Sequence, residues 1–150
     1  MAQQPQVIKW SEDLDTGNVL IDSQHRMLVF LCRKLQLAYD AGLEHNVIVG
    51  LCIELKKFAD FHFTSEENVM REVGYPGYDS HVRAHSQLLF ELDNWIRRVH
   101  QRSEMPAALL GVMTEWMIGH IRGDDVRLAG YIKISGTHPM ADSEYGLYLR

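Results

Sequence analysis

Apolar positions recur along this chain at intervals of three and four residues, in four blocks separated by short breaks rich in glycine and proline. In the first block, helical steps from His25 reach Leu28, Val29, Cys32, Leu35 and Tyr39. A helix is expected there from Asp22 or Ser23, either of which can cap the free N–H groups, to about Ala41, just before Gly42. The second block runs from about Glu44 to Val73 and is closed by Gly74, which suits a left-handed stop. Its stripe of Leu51, Leu55, Phe58, Val69, Met70 and Val73 takes in His62 and Glu66. After the break Tyr75-Pro76-Gly77-Tyr78, a third helix is expected from about Asp79 to Gln101. There His81 and His85 share a face with Leu88, Leu89, Leu92, Ile96 and Val99. Pro106 suits the first turn of a fourth helix reaching about Arg122 or beyond, on which Leu109, Met113, Trp116 and His120 align.

Helices of these lengths are roughly 30 to 45 Å long, and short joins make sequential helices antiparallel neighbours. The expected fold is all-α, an up-down-up-down four-helix bundle. Residues 1–20 read as an irregular arm across the bundle, anchored by Ile8 and Trp10, because a buried ring removes a large apolar area from water. Residues 133–150, with Gly136, Pro139 and Gly146, read as a loosely packed C-terminal tail. At 150 residues the chain is expected to form one domain, 1–150, around one core.

Composition narrows the function classes. With 46% hydrophobic and 23% charged residues the chain is ordinary globular protein rather than a disordered segment. A net charge of -5 offers no basic footprint for nucleic acid or anionic lipid. No stretch approaches the roughly 20 apolar residues of a membrane span, and Met-Ala-Gln-Gln-Pro at the start is not a secretory leader, so a cytoplasmic protein is expected. Cys32 and Cys52 sit in apolar helical patterns without the spacing of a metal or redox motif, and buried reduced thiols are expected.

The inward polar residues carry the chemistry. Residues four apart project from one side of a helix, so His62 with Glu66, and His81 with His85, can each offer two donors to one small volume. His25 and His120 add one inward imidazole each from the other two helices. One histidine on an apolar face is ordinarily a hydrogen-bonded core residue; five together with Glu66 are costly to bury without a cation to share. His120 is followed by Asp124 and Asp125, and helical spacing favours Asp124 as a seventh donor. Seven donors exceed the four of tetrahedral zinc, and a nitrogen and carboxylate set without thiolates suits two iron or manganese ions. The ferritin-like arrangement is excluded, because no Glu has a His three residues later. His45, His100 and His138, near helix ends or in the tail, receive no role.

The run Trp10-Ser11-Glu12, then Ile21-Asp22-Ser23-Gln24-His25, then His62-Phe63-Thr64-Ser65-Glu66-Glu67, then His81 with His85, then Trp116, His120-Ile121 and Asp125, resembles the hemerythrins, closest to the bacterial single-domain members. The resemblance covers about residues 7–132. It implies a non-haem diiron centre with an oxo or hydroxo bridge. His81, His85 and His120 would hold one iron, His25 and His62 the other, and Glu66 and Asp125 would bridge them. It implies reversible dioxygen binding beside His25 and His62, with Leu28, Val29, Phe58, Phe63, Trp116 and Met117 as candidates for a dry wall. The family spacing chooses Asp125 over Asp124. On an ideal helix a residue five positions on is rotated well away from His120, so this choice predicts a π-type bulge or a helix end between the two. Glu67 and Asp124 are then expected to face solvent or support the ligands.

Oxygen storage, delivery or supply is the leading functional expectation. The rival from another class is an oxygen- or redox-sensing module signalling to a partner protein, since similar domains occur fused to signalling proteins. An enzyme is not expected, because no Ser-His-Asp, P-loop or dinucleotide motif is evident and nothing names a substrate.

Overall fold

The computed structural model describes residues 7–135, and among them there is helix and no strand. A 3-10 turn, Glu12–Leu14, interrupts the leading arm, and four rods follow. They are α1 (Val19–Asp40), α2 (His45–Val73), α3 (Tyr78–His100), and α4 (Pro106–His120) continued through a π turn (Ile121–Asp125) into α5 (Val126–Ser135). The expected four-helix bundle is observed. No described helix is long and apolar enough to cross a membrane.

The helix ends follow local chemistry. α1 starts earlier than Asp22 or Ser23: the Asn18 side chain accepts from the Ile21 N–H at 3.0 Å and caps the helix. Asp22 has a different task. Its carboxylate accepts from the Thr16 N–H and hydroxyl at 2.9 and 2.7 Å and from the Gly17 N–H at 3.2 Å, tying the arm to the first turn. Replacing the cap, Asn18→Ala, is expected to lower stability by about 1 kcal/mol, seen as a lower urea midpoint with an unchanged slope. At the far end of α2, Gly74 adopts φ 65° and ψ 43°, and the Tyr75 N–H returns to the Met70 carbonyl at 2.9 Å. A side chain there would be strained, so glycine ends this helix.

The main core runs along the bundle through Leu35, Leu55, Leu88, Leu92, Leu109 and Met113. Ile8 is buried and Trp10 packs against this core, as expected of the arm, and Arg26 lies 4.9 Å over the Trp10 ring. A smaller cluster closes the opposite end, where Leu128, Ala129 and Ile132 of α5 meet Ile21, Val69 and Met70. The fourth rod therefore reaches beyond the expected start of the tail at 133, to Ser135; the rest of that tail, 136–150, lies outside the described residues. Cys32 and Cys52 are free and buried, and burial pushes their thiols up to about 12 and about 11, which leaves both unreactive.

Candidate metal centre

Just beneath the α5 cluster, four rods deliver seven polar side chains into the apolar interior. His25 comes from α1, His62 and Glu66 from α2, His81 and His85 from α3, His120 from the end of α4 and Asp125 from the end of the π turn. None is more than 5% exposed. Their donor atoms form two overlapping groups able to hold a metal ion, Glu66, His81, His85, His120 and Asp125 in one, His25, His62, Glu66 and Asp125 in the other.

Both carboxylates span the two groups. Asp125 Oδ1 lies 3.0 Å from His81 Nε2 and 3.1 Å from His120 Nε2, while Oδ2 lies 2.9 Å from His25 Nε2. Glu66 Oε1 lies 2.6 Å from His62 Nε2 and 3.8 Å from His85 Nε2, with Oε2 3.5 Å from His81 Nε2. These approaches lack hydrogen-bond geometry: both oxygens of each carboxylate, both ring nitrogens of His25 and Nε2 of His81 are buried without a hydrogen-bond partner. The Nε2 atoms of His85 and His120 face one another at 3.2 Å. Buried polar atoms are nearly always satisfied, so a convergence of unsatisfied nitrogens and carboxylate oxygens fits shared cations.

The electrostatics agree with that reading. Burial, reinforced by neighbouring imidazoles, holds His62 far below its usual value and His85 down to about 2, so both stay neutral with a lone pair to give. Burial and the adjacent Asp125 carboxylate raise Glu66 well above the carboxylate range. Asp125 moves the other way. Burial opposes its ionisation, but the nitrogens of His120, His25 and His81 outweigh burial and hold it well below its usual value. Two carboxyls driven apart in this manner share a deficit of positive charge that a metal would supply.

The π turn decides between the adjacent aspartates. Five residues on an α-helix overshoot a full turn by about 140°, whereas an i→i+5 turn brings residues five apart back to one side. Asp125 is thereby fully buried beneath His120, and Asp124 is left at the rim, its Oδ2 2.9 Å from His120 Nδ1 and its other oxygen held by Arg127. Glu67 takes a matching position, Oε2 lying 3.1 Å from His85 Nδ1. Phe63 stacks on His85 with centroids 4.0 Å apart and Trp116 on His120 at 4.2 Å, walling that side with rings. Of the other expected wall residues, Leu28, Val29 and Met117 are buried, while Phe58 is partly exposed.

Sequence reasoning gave no role to Gln24, which is buried and accepts from His62 Nδ1 at 2.6 Å through its side-chain carbonyl. The signal was present: Gln24 lies on the inward stripe four residues before Leu28 and next to His25, where a polar side chain needs a reason. His45, set aside in the sequence, stands apart from the cluster and pairs with the His100 carbonyl at 2.9 Å.

Comparison with known proteins places this arrangement. The family model for the hemerythrin HHE cation binding domain matches residues 16–132. The bacteriohemerythrin of Pseudomonas paraeruginosa is 29% identical over 142 residues, covering 93% of this chain and 91% of that protein. That of Stenotrophomonas maltophilia is 28% identical over 127 residues, covering 85% and 82%. Hemerythrin subunit 2 of Golfingia vulgaris is 26% identical over 131 residues, covering 85% and 96%. Proteins of this kind bind dioxygen at a non-haem diiron site. With a match across most of its length and a buried donor cluster of the matching kind, the chain belongs to the hemerythrin family.

Proposed function

We propose that this chain binds dioxygen reversibly at a pair of iron ions, serving storage, delivery or supply to an oxygen-using protein. The observation that carries the reading is the inequality of the two donor groups, which share both carboxylates but contain three histidines on one side and two on the other. His81, His85 and His120 would hold one iron, His25 and His62 the second, with Glu66 and Asp125 bridging. The side with fewer protein donors leaves room for a small molecule. When bound, the iron pair supplies the electrons that dioxygen takes up and returns.

The remaining work belongs to the protein. Neutral imidazoles bind without adding charge, and only two carboxylates enter the cluster, so the centre is less negative than a carboxylate-rich oxidase site and favours reversible exchange. Phe63, Leu28, Val29 and Met117, at most 3% exposed, keep water and protons away from the pair. The α5 cluster closes the end of the bundle above it.

Metal analysis with optical spectroscopy tests this reading. Iron at about two ions per chain is expected, with a charge-transfer band that appears when reduced protein meets oxygen and fades when oxygen is removed. A single zinc per chain, or steady oxygen consumption far faster than autoxidation, overturns it.

A further inference from the structure

The outward-facing nitrogens of the cluster are backed unequally. On the three-histidine side, His85 Nδ1 meets the Glu67 carboxylate at 3.1 Å and His120 Nδ1 meets the Asp124 carboxylate at 2.9 Å. On the two-histidine side, His62 Nδ1 meets the Gln24 amide oxygen at 2.6 Å, and His25 Nδ1 is buried with no hydrogen-bond partner. The Gln24 amide is itself fixed, its Nε2 donating to Ser65 Oγ at 3.1 Å. One half of the centre thus rests on two carboxylates and the other on a single neutral amide.

We propose that Gln24 is a positioning residue that holds His62 in its Nδ1–H form, and that its neutral amide, set against Glu67 and Asp124, makes the two metal positions unequal in affinity. The inference rests on the two-metal reading above. His62 must keep the Nε2 lone pair free, because that atom faces Glu66 and the shared donor volume. Its proton therefore sits on Nδ1 and needs an acceptor, which the Gln24 carbonyl supplies. An imidazole that donates to a carboxylate is a stronger ligand than one that donates to an amide, since the charge-assisted bond pushes electron density through the ring. The ion beside His85 and His120 is accordingly the tighter one. A carboxylate at position 24 would narrow the difference with almost no change of shape, leaving the part that comes from three histidines against two.

Two measurements test this. In metal-free protein labelled with 15N-histidine, NMR should show His62 protonated at Nδ1, and Gln24→Leu should give a mixture of tautomers. Anaerobic calorimetric titration with Fe(II) should show two unequal steps. Gln24→Leu should weaken the second step about 10- to 100-fold and spare the first, Gln24→Glu should restore it and narrow the gap, and Glu67→Gln should weaken the first step instead. A wild-type His62 protonated at Nε2, equal steps in wild type, a Gln24→Leu that weakens both steps alike, or a Gln24→Glu that fails to restore the second step each overturns the proposal. Neither readout uses oxygen. Unequal steps without a reversible oxygen band would refute the carrier reading alone, and equal steps with such a band would refute this inference alone.

Discussion

Asp125→Ala is expected to abolish loading of the metal pair, whereas Asp124→Ala leaves both ions bound, the one held by His120 with affinity about 10- to 100-fold lower, measured as iron retained per chain after dialysis against a graded chelator. The two residues are neighbours in sequence and differ in what the π turn does with them. Asp125 is fully buried, and its two oxygens stand within 3.1 Å of nitrogens from α1, α3 and α4. Removing it takes away one of only two anions in the cluster and the group that touches both histidine sets, leaving the positive charge of two ions to Glu66. Asp124 touches only the outer nitrogen of His120, and Arg127 already neutralises it. Its loss frees the ring to rotate but removes no donor from the shared volume. Loss of iron from the Asp124 variant with retention by the Asp125 variant would reverse the assignment and discredit the role given to the π turn.

Much of this geometry is legible in the sequence, for identifiable reasons. The buried stripes of α1, α2 and α3 follow three- and four-residue spacing because side chains three and four apart share a helix face, and the histidines sit on those stripes. Gly74 marks its helix end because only the left-handed conformation satisfies the last carbonyls there. The difficulties arise where one local signal competes with another. Asp22 has the composition of a cap, but its carboxylate is drawn back to the Thr16–Gly17 turn, and Asn18 does the capping. Helical arithmetic favours Asp124, because it assumes a regular α-helix through Gly123, and the family resemblance was needed to point to Asp125. The end of the fourth rod is hidden for a different reason. Leu128 and Ile132 are held by Ile21, Val69 and Met70, partners far away in the chain whose contribution no local pattern reveals. Gln24 stands beside His25 on the inward stripe with no local signal of its role, since that role depends on which nitrogen of His62 faces inward.

Protein stripped of metal is expected to be most stable near pH 6.5 and to lose stability on both sides, measured by urea unfolding across a pH series. His62 and His85 have depressed values in the folded state, so between pH 6.5 and their folded values the unfolded chain binds up to two more protons, and stability falls as pH falls. Glu66 has a raised value and acts in the opposite sense: above its ordinary 4.5 the folded state holds a proton that the unfolded state has released. From pH 4.5 to 6.5 the net difference is about one proton, giving a slope near 1.4 kcal/mol per pH unit. Below that window Glu66 is protonated in both states, so the two histidines make the acid limb about twice as steep, and below the ordinary 3.8 of an aspartate the depressed Asp125 steepens it further. Above pH 6.5 the histidines are neutral in both states, and Glu66 makes stability decline until it ionises in the folded protein. Metal should change the shape as well as the height of this profile. Bound ions hold Glu66 ionised, which removes the alkaline decline, and they compete with protons for the imidazoles, which deepens the acid loss. At a free concentration of a thousand times its dissociation constant each ion adds about 4 kcal/mol, enough to raise the melting temperature by roughly 10 °C in a chain of this size. A metal-free profile that is flat from pH 5 to 8, or that keeps rising through pH 8, would contradict the opposed titrations of Glu66 and the two histidines on which this expectation depends.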